Sequence, residues 1–192
     1  MRMPARPKTS RTRIVKAARK LVERHGRHGF SMTEVAVAVG IRAPSLYSRF
    51  SDREELVAAV ELEYWHGMAR ALARAPSSKD PVRALKMLAR AYRAFAKADP
   101  KGYALIYDAS AERTEEGTRA RAAALGVAMP SFVALVGEGH ALTAARVLTP
   151  FLHGFVSMEL AGAFRLGPGL DEAFDRGVTA ILAGLEVTFR AK

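Results

Sequence analysis

The sequence predicts an all-α protein of about nine helices, and three observations predict it. Apolar residues recur at i, i+3, i+4 and i+7 along most of the 192 residues, the spacing that gathers them on one helix face. Alternation of period two never persists for five residues with the β-branched enrichment that a strand needs. Punctuation by Gly and Pro falls between the periodic stretches: Gly26, Gly40, Pro76 to Pro81, Asp99-Pro100 and Gly167-Pro168-Gly169. Apolar residues make up 49% and charged residues 26%, which excludes collagen-like, low-complexity and wholly disordered chains.

The elements follow in order. Residues 1–8, with two prolines and three basic groups, form a basic arm. The first helix begins near Ser10, with Ile14, Ala17, Ala18, Leu21 and Val22 on one face. Arg11, Arg13, Lys16, Lys20 and Arg24 lie mostly elsewhere on the wheel, and Gly26 or Gly29 ends the helix. Ser31 followed by Glu34 is a capping box, so a short helix carrying Val35, Ala36 and Val39 starts there and stops at Gly40. Pro44 fits only a first helical turn, which places the next start at Arg42 or Ala43. Leu46 and Phe50, four apart, then face inward, and Ser45, Ser48 and Arg49 face out. Two short helices joined by a tight Gly-containing turn make a helix-turn-helix.

Two overlapping caps, Ser51 with Glu54 or Asp52 with Glu55, open a fourth helix. Its stripe of Leu56, Val57, Val60, Tyr64, Met68 and Leu72 extends to about Ala75. After the Pro76–Pro81 break, Val82, Leu85, Leu88, Ala89, Tyr92 and Phe95 mark a fifth helix. A short segment from Gly102 to Asp108 follows, then a longer helix from Glu112 to Glu138, weakened at Gly126 and Pro130. Two helices, Leu142–Arg165 and Asp171–Ala191, close the chain.

Charge separates the chain into two parts. The net charge is +11, and residues 1–55 hold 13 Lys/Arg against 5 Asp/Glu, a net +8. A global composition effect would spread the excess evenly; local concentration marks the first 55 residues as the contact for a polyanion. The small, polar outer face of the second short helix suits close approach to base edges in a major groove. The expected division is therefore residues 1–55, a helix-turn-helix DNA-binding domain with its basic arm, and residues 56–192, a helical domain.

Other chemistries are excluded or left without support. No cysteine is present, so there is no disulfide, no zinc finger and no thiol nucleophile. No nucleophile–base pair, phosphate loop or paired carboxylates are recognisable, and an enzyme is not expected. His153 and Glu159 are six apart, which does not suit a metal site, and neither metal nor cofactor is expected. No apolar run of about 18 residues spans a bilayer, and no apolar run of about 7–15 residues follows the basic start as a secretory signal requires. A cytoplasmic protein without a membrane partner is expected. A non-specific basic protein of DNA or membrane surfaces is the alternative, although such a protein needs no capped recognition helix.

The stretch Gly29-Phe30-Ser31-Met32-Thr33-Glu34-Val35-Ala36, continuing through Val39-Gly40-Ile41, Leu46-Tyr47-Ser48-Arg49-Phe50 and Glu54-Glu55-Leu56, resembles the TetR family of bacterial transcriptional repressors. About 45 residues agree in register. Two positions depart: Arg42 stands where the family has Ser or Thr, and Arg53 where it has Lys. Leu152-His153-Gly154 and the residues after it resemble a C-terminal subgroup of that family marked by Trp-His-Gly, with Leu152 in place of the tryptophan.

The resemblance implies a homodimer that binds a double-stranded DNA operator and releases it on binding a small molecule of unknown identity. Tyr47 is similar to the family's phosphate-contacting tyrosine. Thr33 and Arg53 sit at helix N-termini, where unpaired amides favour phosphate. Arg42, Ala43, Pro44, Ser45, Ser48 and Arg49 are the groove-facing candidates, and Arg2, Arg6 and Lys8 are candidates for a minor-groove arm. Trp65, Met68, Tyr92, Phe95, Tyr103, Tyr107, Met129, Phe132 and His153 are candidate effector-site residues. Two apolar stripes, Leu148, Leu152, Phe155 and Val156 and then Phe174, Val178, Ile181, Leu182, Leu185 and Phe189, are the candidate dimer interface, with a share in the chain's own core.

Overall fold

A computed structural model describes residues 10–108, 114–167 and 169–190. The expected arm contacts Arg2, Arg6 and Lys8 lie outside the described residues. Ten helices are present among the described residues, with no strand. They are α1 (Arg11–His25), α2 (Met32–Val39), α3 (Ala43–Tyr47), α4 (Arg53–Ala73), α5 (Pro81–Ala98), α6 (Pro100–Leu105), α7 (Glu115–Gly126), α8 (Met129–Val136), α9 (Glu138–Leu160) and α10 (Leu170–Arg190).

The count exceeds nine because the long helix expected over Glu112–Glu138 is two. Glu112 itself lies outside the described residues. The chain leaves helical geometry after Gly126, and Pro130 occupies the first turn of α8. A proline there has no amide to donate to the preceding turn, so a new helix begins rather than the old one continuing. Helix α9 ends at Leu160 rather than Arg165. Gly162 adopts a left-handed φ of 66°, and the amides of Gly162 and Ala163 close back on the carbonyls of Glu159 and Met158. That is the Schellman termination, which glycine alone enters without steric penalty. Pro150 is accommodated inside α9.

The chain forms two compact units, and their division falls inside α4, between Tyr64 and Trp65. The first unit runs through Tyr64 and also takes in Lys101–Thr118. Within it α1 packs on α2 and α2 on α3, burying Ile14, Ala18, Val22, Val35, Leu46, Phe50, Leu56 and Val60. Local signals set these elements. Ser10 caps α1 by accepting from the Arg13 amide. Ser31 and Glu34 form both halves of the capping box on α2, and Gly40 ends α2 with a left-handed φ of 73°. Of the two caps offered to α4, Asp52 is used: its carboxylate accepts from the Glu55 amide at 2.8 Å, while Glu55 turns back to the Ser51 amide at 2.7 Å.

The second unit comprises Trp65–Pro100 and Arg119–Lys192. Helices α5, α8, α9 and α10 pack against one another around Leu85, Ala89, Tyr92, Phe132, Leu135, Leu148, Val156, Phe174, Val178 and Leu182. Among the described residues no single helix is long and apolar enough to cross a membrane.

Candidate nucleic-acid interface and apolar cavity

The recognition helix α3 is short and two-faced. Leu46 and Phe50 are fully buried, whereas Pro44, Ser45, Tyr47 and Ser48 are exposed and Ala43 and Arg49 half-buried. This is the division that the four-residue spacing of Leu46 and Phe50 predicts. Arg42 occupies the N-cap position of α3, exposed, and its side chain makes no capping bond. Neither the Arg42 nor the Arg49 guanidinium is engaged in an ion pair within the described residues. The Ser48 hydroxyl donates to the Ser45 carbonyl at 2.9 Å, so Ser48 spends its donor inside the helix while the Ser45 hydroxyl stays available. Tyr47 is 52% exposed. Thr33 is exposed in the first turn of α2, where the leading amides of a helix have no partner of their own.

Other cations of this unit hold it together instead. Arg11 donates to the Arg49 carbonyl at 2.7 Å and to Glu55 at 2.9 Å, and its guanidinium lies 4.0 Å from the centre of the Phe50 ring. The Glu55 carboxyl is held below its ordinary range by the Ser51 amide and, next, by Arg11. Arg53, expected at a phosphate, has its guanidinium turned inward. It donates to the carbonyls of Arg27 and Phe30, pairs with Glu54 at 2.6 Å and covers the Phe30 ring. Arg27 is itself buried, meeting Glu54 at 2.5 Å and Asp108 at 3.6 Å. Sequence reasoning missed this cluster, because two of its acceptors are backbone carbonyls that no residue type reveals.

The second unit carries a partly open apolar cavity of about 430 Å³, within the ~300–1,000 Å³ typical of small-molecule sites. Of the expected effector residues, Met68, Tyr92, Met129 and Phe132 line it. Trp65, Phe95 and His153 are not among its walls. Trp65 is buried with the Arg121 guanidinium 5.6 Å from its ring, Phe95 faces Gly67, and His153 sits 3.5 Å from the Ser157 hydroxyl. Burial lowers the His153 pKa. Tyr103 and Tyr107 belong to the first unit, where their rings pack 5.1 Å apart. The walls not foreseen include Leu72, Leu85, Leu88, Leu142, Arg146, Thr149 and Pro150. Leu72, Leu85 and Leu88 were visible as helical stripe residues, but periodicity does not tell a core neighbour from a cavity wall.

Leu148, Leu152, Val156, Phe174, Val178, Leu182 and Leu185, expected at a dimer contact, are buried within the single chain. Phe155, Ile181 and Phe189 are half-buried. Apolar side chains left exposed on α9 and α10 include Leu142, Val147, Met158 and Val187. Among the described residues no group of three or more metal-ligating side chains is gathered.

Residues 14–60 match the family model of bacterial regulatory proteins of the tetR family, and residues 85–181 match that of the tetracyclin repressor-like C-terminal domain. An uncharacterized HTH-type transcriptional regulator of Mycobacterium tuberculosis is 31% identical over 186 residues, covering 95% of this chain and 84% of that protein. The chain belongs to the TetR family of transcriptional regulators.

It is a DNA-binding transcriptional regulator, and α2 and α3 lie within the part matched by the N-terminal family model. TetR-like architecture extends over nearly the whole chain. A protein of unknown function from Rhodococcus sp. RHA1 has the same fold with a TM-score of 0.80 and 22% identity, over 96% of this chain and 100% of that one. A TetR variant from Acinetobacter baumannii AYE, crystallised with minocycline, has a TM-score of 0.68 and 20% identity over 94% and 98% of the two chains.

Proposed function

We propose that the chain is a homodimeric repressor that leaves a palindromic operator when a small molecule fills the cavity of its second unit. The observation that carries the reading is the outer side of α3. Among the described residues Arg42 and Arg49 make no ion pair there, beside an exposed Ser45 and Tyr47, while Arg11, Arg27 and Arg53 are held by carboxylates and carbonyls of the same unit. Arg42 and Ser45 reach base edges, Pro44 and Ala43 permit the close approach, and Tyr47, Thr33 and Arg49 meet phosphates. Arg53 supports the head from within.

Two heads in one dimer enter successive major grooves about 34–36 Å apart. Self-association is supported by the apolar residues exposed on α9 and α10, since exposed apolar patches in solution mark contact surfaces. The cavity supports ligand control, as does the minocycline held by a protein of the same fold. A ligand that favours a conformer with mismatched head spacing lowers operator affinity by linkage. The protein acts in the cytoplasm and without catalysis.

Selection of bound sequences from a random duplex library tests the reading. A palindromic consensus, bound by two chains with a steep loss of affinity on adding salt, is the expected result. Binding no tighter than to random DNA, or tighter binding to anionic vesicles, overturns it.

A further inference from the structure

We propose that the molecule admitted by the cavity is a monoanionic amphiphile, an apolar body ending in one carboxylate-class group received by Arg146. The proposal rests on the reading of this cavity as the effector site, and it names the chemistry that the site selects.

The walls set the body of the ligand. Met68, Leu88, Phe132 and Leu142 represent a lining that is almost wholly hydrocarbon. A polar group placed against it would lose its water without replacement, at a cost that an apolar group avoids. The ligand's body is therefore apolar.

The charge on the wall sets its end. Among the described residues Arg146 is the one side chain charged at neutral pH that lines the cavity, and no Asp or Glu lines it. A cationic ligand would meet a like charge and no counter-ion. Arg146 is exposed and takes part in no ion pair within the described residues. Four cations of the same unit are engaged, Arg90 by Asp175, Arg93 and Lys97 by Glu159, and Arg176 by Glu172, and none of these four lines the cavity.

Apart from Tyr92 on α5, the polar side chains of the lining lie together. Arg146, Thr149 and Pro150 are neighbours on α9 and all three line the cavity. Pro150 has no amide hydrogen, so the Arg146 carbonyl lacks its donor four residues on. That stretch consequently offers a guanidinium, a hydroxyl and a carbonyl without its helical donor at one side of a largely apolar lining. Guanidinium–carboxylate pairing supplies charge and two parallel hydrogen bonds, which a neutral hydroxyl end cannot match.

Isothermal titration of the full chain with decanoate, 1-decanol and decylamine tests the proposal. Decanoate is expected to bind at least about tenfold tighter than decanol, the difference expected of a charge-assisted pair, and decylamine is expected not to compete. Arg146→Gln, at an exposed position, should erase that preference while leaving decanol affinity unchanged. Leu88→Trp should fill the cavity and abolish both, with Ala145→Trp as the second filling variant where circular dichroism reports a misfolded first. Equal affinity for decanoate and decanol, or decanoate binding untouched by Arg146→Gln, overturns the anionic class and leaves the cavity reading standing. No heat with any probe, or binding that survives both filling variants, overturns the cavity reading and this proposal with it.

Discussion

Arg93 on α5 grips Glu159 near the end of α9 through two contacts of 2.7 Å, Nε to Oε2 and Nη2 to Oε1. Both side chains are about nine-tenths buried, and the Arg93 guanidinium also lies 4.9 Å from the centre of the Phe174 ring. Lys97 adds a contact to Glu159 at 2.8 Å, and Asp171 meets Arg93 at 2.7 Å. One fork thus ties α5, α9 and α10 together.

This pair makes the second unit acid-sensitive in a stated window. The Arg93 hydrogen bonds, followed by Lys97, hold the Glu159 carboxyl down to about 2, from an ordinary 4.5. A carboxyl lowered on folding contributes stability above its unfolded pKa and loses it as pH falls through the folded one. Melting temperature should therefore fall between pH 4.5 and 2 more steeply in the native chain than in Glu159→Gln. At pH 7 Glu159→Ala should cost about 3 kcal/mol, because buried Arg93 loses two of its charge-assisted hydrogen bonds and keeps only the exposed Asp171 as partner. Urea unfolding at both pH values checks this; parallel pH profiles of native and Glu159→Gln proteins would refute it.

Tyr47→Phe should leave the fold intact, since the side chain is half exposed. Operator affinity should fall by about 10-fold or more, the worth of a hydrogen bond to a charged oxygen. The loss should be the same for every sequence, and the slope against salt unchanged, because no charge is removed. Titration of native and variant proteins on operator and random duplexes reads all three.

Arg42→Ala should behave differently. Its loss should be concentrated at one base pair of each half-site, about 1–3 kcal/mol there, with preference relaxed at that position only. Repeating the sequence selection with the variant checks this. A uniform loss with a shallower salt slope would assign Arg42 to a phosphate instead.

Gly102→Ala should destabilise the first unit. A methyl at this buried position in α6 would overlap the ring and hydroxyl of Tyr64, itself fully buried. Overpacking of this kind costs about 1–3 kcal/mol. Denaturant titration of the variant measures it, and Tyr64→Phe combined with Gly102→Ala should recover little, because the ring as well as the hydroxyl is in the way.

Residue type and spacing alone determined the all-α class, the helix-turn-helix and the capping box of α2, and for α4 they offered two caps without choosing between them. These depend on neighbours within four residues, such as Ser31 with Glu34 or Leu46 with Phe50, and a linear pattern displays them. Tertiary structure alone decided which cations remain free. Only the folded chain brings the carbonyls of Arg27 and Phe30 to Arg53, expected at a phosphate, whereas Arg42 and Arg146 make no ion pair among the described residues. It also decided that Leu148, Leu152 and Phe174 serve the chain's own core, and that Met68 and Phe132 border a cavity where Trp65 and Phe95 do not. Helical periodicity states which face is apolar; what that face meets, whether another helix, a cavity or a second chain, is set by contacts between residues distant in sequence.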